Sequence, residues 1–347
     1  MEQIIMTDAA DSRLLELHYL LLRLAGWMPD AAVAEARRHL AGRQLAEAAD
    51  AVLTSAATSR MSLRETDLDL LSTLVPDDRV AAWRTAAPPS PATAPPEPEF
   101  APERADPIGA TPLVLDLTRA GDRLDEPDSA AVDAARGVAD GVALWRAWRR
   151  DSPDQEQQVP IYLLLVGGDP NGLPAACAQV QRALADSGVE HPQVEAFHHR
   201  TVLPRYQQLA RSRSALLWAA ADAQPVSTAQ VFDAYHPTTG GQFSADRPTI
   251  TDGNEMRRVL DYLDGGAVLL ATEAHETDPF DESAGPVVPL SFRTDGRWIW
   301  TDAVAYFLRT YALSPDDELL THIRARDYLV PESDPVAEHR ALSSLLS

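Results

Sequence analysis

Eight prolines crowd one short stretch of this chain: Pro88, Pro89, Pro91, Pro95, Pro96, Pro98, Pro102 and Pro107. Each removes an amide donor and fixes φ, so neither a helix nor a central strand propagates through such a run. Solvated polyproline II is the favoured state, reaching roughly 70 Å at ~3.1 Å per residue if fully extended. Residues 86–109 therefore read as a tether, with a ligand for a proline-recognising domain as the other reading.

On either side of it the hydrophobic pattern differs. Leu14, Leu17, Leu21 and Leu24 recur at helical spacing. Asp30 and Gly42 bracket a second helix, 45–59 reads as a third, and Ser62-Leu-Arg-Glu65 is a capping box opening a fourth. Residues 1–85 are thus expected to form a helical bundle. His18 sits beside the leucine stripe as a helix-flank residue.

After the tether, strand and helix patterns alternate. Strands are expected at 113–117, 161–166, 194–198 and 215–219, and helices at 130–148, 173–187 and 203–213. Alternation of this kind predicts a parallel-sheet α/β middle domain over 110–225. A Gly/Pro-rich connector follows at 226–251, with Val231, Phe232 and Phe243 as anchors. The remainder, 252–347, reads as a small α+β domain in which Asp295-Gly296 turns a hairpin. Ser314-Pro-Asp-Asp317 and Pro335 start its last helices. The expected fold class is α/β: helical bundle, tether, parallel-sheet domain and α+β domain.

All 30 basic residues are arginine, and lysine is absent. Schiff-base chemistry, P-loop phosphate binding and Ser-x-x-Lys acylation are therefore closed to the chain. GC-rich coding accounts for such a bias, as does selection against lysine modification. With 52 acidic residues the net charge is −22, which argues against nucleic acid and anionic membrane surfaces and favours a partner with a basic surface. No apolar run approaches the ~20 residues of a membrane span. The N-terminus lacks the basic region of a secretory signal, and Cys177 is the single cysteine, a pattern that fits a cytoplasmic protein.

The candidate sites are few. Gly167–Gly172 departs from Gly-x-Gly-x-x-Gly and reads as a turn, and Cys177 lies on an apolar helix face. Asp116, His198 and His275 are candidate acid–base groups. Glu273, His275 and Asp278 are candidate ligands for a divalent cation. The acidic run holding Glu276, Asp278, Asp281 and Glu282 reads as a surface presented to a basic groove. Arg293 and Arg297, which flank the hairpin beside it, are binding candidates as well; alternatively the run is a solvated loop whose charge these two arginines offset. Trp298 and Trp300, two apart on a strand, share a face as core or as binding anchors. No cofactor is implied. The sequence thus favours an acidic non-catalytic protein-binding module: an adaptor, regulator or neutralising partner of a basic protein. The alternatives are a carboxylate/histidine-dependent enzyme, such as a metal-assisted hydrolase, and a secreted effector that avoids lysine.

Overall fold

The computed structural model describes residues 2–86, 97–104, 112–119, 123–151, 158–236, 240–332 and 334–347. The chain forms a mixed α/β structure that divides into two compact units, Met1–Ala221 and Asp222–Ser347.

The first unit opens with α1 (Glu2–Leu24), α2 (Asp30–Ala41), α3 (Leu45–Thr58), α4 (Glu65–Ser72) and α5 (Asp77–Ala86). The predicted leucine stripe is buried: Leu14, Leu17, Leu21 and Leu24 pack with Val33, Leu40, Val52 and Leu68. The predicted capping box is displaced by two residues. Helix α4 begins at Glu65, and it is the Asp67 carboxylate that accepts the amide of Arg64, at 3.3 Å.

There follow β1 (Glu99–Ala101), β2 (Leu115–Asp116), α6 (Glu126–Arg136), β3 (Gly141–Arg150), β4 (Val159–Val166), α7 (Leu173–Asp186), β5 (Gln193–His198), α8 (Arg205–Ser212) and β6 (Ala215–Ala219). They build a sheet of order β2-β6-β3-β4-β5, with β1 on the free half of β3. The expected parallel sheet is corrected here. Strand β3 runs antiparallel to β1, β4 and β6, while β2–β6 and β4–β5 are parallel pairs. The cause is local. The helix expected at 130–148 stops at Arg136, turns through Gly137 and Asp140 (φ 55°), and becomes β3. That strand is buried on both faces, with Leu144, Trp145, Ala147 and Trp148 all inside, so it shows no alternation to separate it from a helix.

Residues 99–101, within the proline-rich stretch, form a strand rather than part of a tether. Glu99 pairs with Arg150 across it, and the Pro102 carbonyl accepts from buried Arg146 at 2.8 Å. Pro88 to Pro96 and Pro107 lie outside the described residues. The helices also clamp the sheet directly. His18 donates to the Ala196 carbonyl at 2.8 Å, and Arg37 bonds Glu195 at 2.5 Å with both side chains buried.

The second unit uses part of the expected connector. Strand β7 (Ser227–Thr228) lies within it, as does the hairpin of β8 (Ala234–His236) and β9 (Gly240–Gln242). Phe232 and Phe243 meet at 5.1 Å and pack on Phe307. Then come α9 (Gly253–Gly265), β10 (Ala267–Leu270), β11 (His275–Thr277), β12 (Pro286–Pro289), β13 (Phe292–Thr294), β14 (Trp298–Thr301), α10 (Asp302–Tyr311), α11 (Asp317–Ala325) and α12 (Pro335–Leu345). One sheet has the order β10-β13-β14-β7, and β11 pairs with β12 as a separate antiparallel hairpin. Asp316, rather than Ser314, caps α11 by accepting the Glu318 and Leu319 amides.

Candidate functional site

The β11–β12 hairpin is an exposed loop on a fixed base. From Ala271 to Ala284 every residue is exposed except Asp278, which is 1% exposed. Tyr306 and Tyr311 of α10 donate their hydroxyls to Asp278 Oδ2 at 2.8 and 2.7 Å, and the Phe280 amide donates to Oδ1 at 2.9 Å. Burial pushes this carboxyl up. The bonds from Tyr311, the Phe280 amide and Tyr306 outweigh burial and hold it below its ordinary range. The same bonds push the Tyr311 hydroxyl up to about 12, its bond to Asp278 contributing most. Asp278 is therefore an ionised internal pin. At the tip, Asp281 accepts the Ser283 amide at 3.1 Å, and Gly285 adopts φ 72° to let the chain return.

Two kinds of side chain face outward from this base. Glu273, Glu276, Asp281 and Glu282 are exposed, and none of them forms an ion pair among the described residues. Phe280 is 52% exposed, although its inner face packs on Phe243 (5.5 Å, nearly parallel) and Tyr311 (4.7 Å). Val287 of β12 is exposed as well. An aromatic ring held by one face, on a loop that also exposes carboxylates without ion-pair partners, is suited to docking: the ring offers apolar area, and the acids offer long-range attraction to a basic surface.

The other sequence candidates separate. Arg293 and Arg297 do not offset the acidic loop. Arg293 bonds Asp302 at 2.6 Å and the carbonyls of Asp264 and Gly266, while Arg297 bonds Gln224 at 3.0 Å. Trp300 is core, its indole N–H donating to the Leu263 carbonyl. Trp298 is half-buried, 6.3 Å from the His322 ring. Beneath that turn is a cluster absent from the sequence reading. The fully buried Asp295 carboxylate accepts from Tyr262 (2.5 Å), His322 (2.6 Å) and the amides of Arg297 and Trp298. Those bonds outweigh burial and keep it ionised.

Glu273, His275 and Asp278 do not form a cation site. The His275 ring is turned to the Glu273 carbonyl (2.8 Å), and Asp278 is taken by two tyrosines. Among the described residues no group of three His, Cys, Asp or Glu side chains is placed to hold a metal ion. Asp116 and His198 lie on the first and last strands of the sheet, four strand spacings or roughly 19 Å apart. Asp116 accepts from Thr118, and His198 bonds the Gly167 carbonyl and the Arg200 amide. His275 belongs to the other unit. Asp116 and His198 thus give no common reacting centre.

No known protein family, curated protein or solved structure matches this chain. Among the described residues no helix is long and apolar enough to cross a membrane.

Proposed function

We propose that the chain is an acidic, non-catalytic protein-binding module, acting as an adaptor, regulator or neutralising partner, and that it engages a basic protein surface through the β11–β12 hairpin. One observation carries this reading: the half-exposed Phe280 shares a loop pinned by Asp278 with four exposed carboxylates that form no ion pair among the described residues. The pinned base limits the ordering cost on binding, so the carboxylates supply association rate and salt sensitivity while Phe280 supplies affinity. The other acidic side chains contribute long-range steering.

The test is differential capture from native lysate. Wild-type protein is compared with the variant Glu273→Gln, Glu276→Gln, Asp281→Asn, Glu282→Gln, which removes charge from exposed positions only. A basic protein retained by the wild type, released by 0.5 M salt and lost by the variant is the expected result. Identical capture by both chains would contradict the proposal.

A further inference from the structure

The first unit holds a cleft of about 1010 Å³, at the upper end of the roughly 300–1,000 Å³ that small-molecule sites occupy. It opens where β4 and β5 end, at Gly167 and His198, beside the C-terminal turn of α1 and the start of α4. The carboxyl ends of parallel strands are where open α/β sheets leave room for ligands.

Its wall reverses the charge of the chain. Arg23, Arg64, Arg200 and Arg205 line it, and among the described residues no aspartate or glutamate does. Arg23 is held by Asp67 and Arg205 by Glu97 from outside the wall. Arg64 and Arg200 are exposed, and neither guanidinium forms an ion pair among the described residues. In a protein of net charge −22, the described carboxylates thus stand off this concave surface.

Flat rings complete the wall. Trp27 is 40% exposed, and Tyr19, Tyr206 and the His198–His199 pair (3.9 Å between rings) also line the cleft. Trp27 is fixed by its neighbour. Gly26 adopts φ 80° against the face of Tyr206, where a Cβ would lie 2.5 Å from the ring. The indole is therefore positioned by close backbone packing rather than left on a loose loop.

We propose that this cleft binds a nucleoside phosphate: a planar base for the aromatic side chains to stack on, and a phosphate for the two unpaired guanidiniums. Guanidinium forks match phosphate oxygens in geometry, and base–aromatic stacking tolerates any base.

Titration calorimetry of the full chain with ATP, in EDTA and at constant ionic strength, tests this. Saturable binding is expected, weakened about tenfold by Arg200→Ala and by Arg64→Ala. It should also be weakened by Trp27→Ala, and be unchanged by Arg136→Ala, an exposed arginine outside the cleft. Inorganic tripolyphosphate and adenosine should each bind more weakly than ATP. Absence of ATP binding at millimolar concentration overturns the proposal. So does tripolyphosphate binding as tightly as ATP, which would remove the ring, or adenosine doing so, which would remove the phosphate.

Discussion

His18 shows how one side chain carries both structure and pH dependence. It is 1% exposed and donates to the Ala196 carbonyl, so the neutral ring is built into the contact between α1 and β5. Burial, aided by nearby Arg37 and opposed by the Ala196 bond, pushes it down to about 4. The unfolded chain takes up a proton as pH falls through 6.5 while the folded chain does not, so stability is lost on acidification. Between pH 7 and pH 5 that loss is about 2 kcal/mol. Asp128, buried against Arg146 and Tyr162, has the opposite sign. Burial pushes its carboxyl up to about 6, so the folded state gains from protonation as pH falls through that value. His18→Gln separates the two. Denaturant unfolding should show the cost of the substitution shrinking by about 2 kcal/mol from pH 7 to pH 5, and a constant cost would contradict this account of His18. The tyrosines on Asp278 give a second residue-scale test. Tyr306→Phe and Tyr311→Phe should each destabilise the second unit by about 1–2 kcal/mol, the cost of stripping one donor from a buried carboxylate, and thermal unfolding reads it.

Among the elements, those with one clear pattern were legible in the sequence. Helix α7, strand β4, strand β6 and the Asp295-Gly296 turn fall where periodicity and turn chemistry put them. Strand β3 was not, because burial on both faces erases alternation, and Val138, Val142 and Trp145 also fit one face of a helix. The parallel sheet failed with it, since this strand reverses the sheet. The β11–β12 hairpin was half legible. Its acids stand out in the sequence, but Phe280 counts as a single aromatic until Phe243 and Tyr311 are folded against it, and Asp278 looks like any other acid until α10 brings two tyrosines to it. The clamp between α2 and β5 was invisible, because Arg37 and Glu195 are 158 residues apart. Both side chains are buried, so removing one leaves a stranded charge. Glu195→Ala should cost about 3–5 kcal/mol, and the double change Arg37→Met, Glu195→Leu should cost less than that single change. Denaturation midpoints for the two variants decide it; a double variant worse than the single would count against the clamp.

Across the whole molecule, net charge is an average that conceals its own exceptions. The value of −22 led to an expected basic partner and away from anions, yet it says nothing of where the carboxylates stand. In the second unit four stand exposed without ion pairs on the loop that carries Phe280, and in the first the described carboxylates leave a cleft to arginine. The absence of lysine acts at this scale too. Every side-chain cation other than protonated histidine is a guanidinium, which suits partly buried forked pairs such as Arg149 with Asp30 (2.9 and 2.8 Å). The fold also bears on the proline-rich stretch: β1 is stitched to β3, so the chain on either side of it belongs to one compact unit. Amide hydrogen exchange of the full chain, alone and saturated with the captured basic partner, tests the docking claim most directly. Slowed exchange across residues 273–287 that disappears in the four-carboxylate variant is expected. Slowed exchange elsewhere, with that hairpin unchanged, would contradict it.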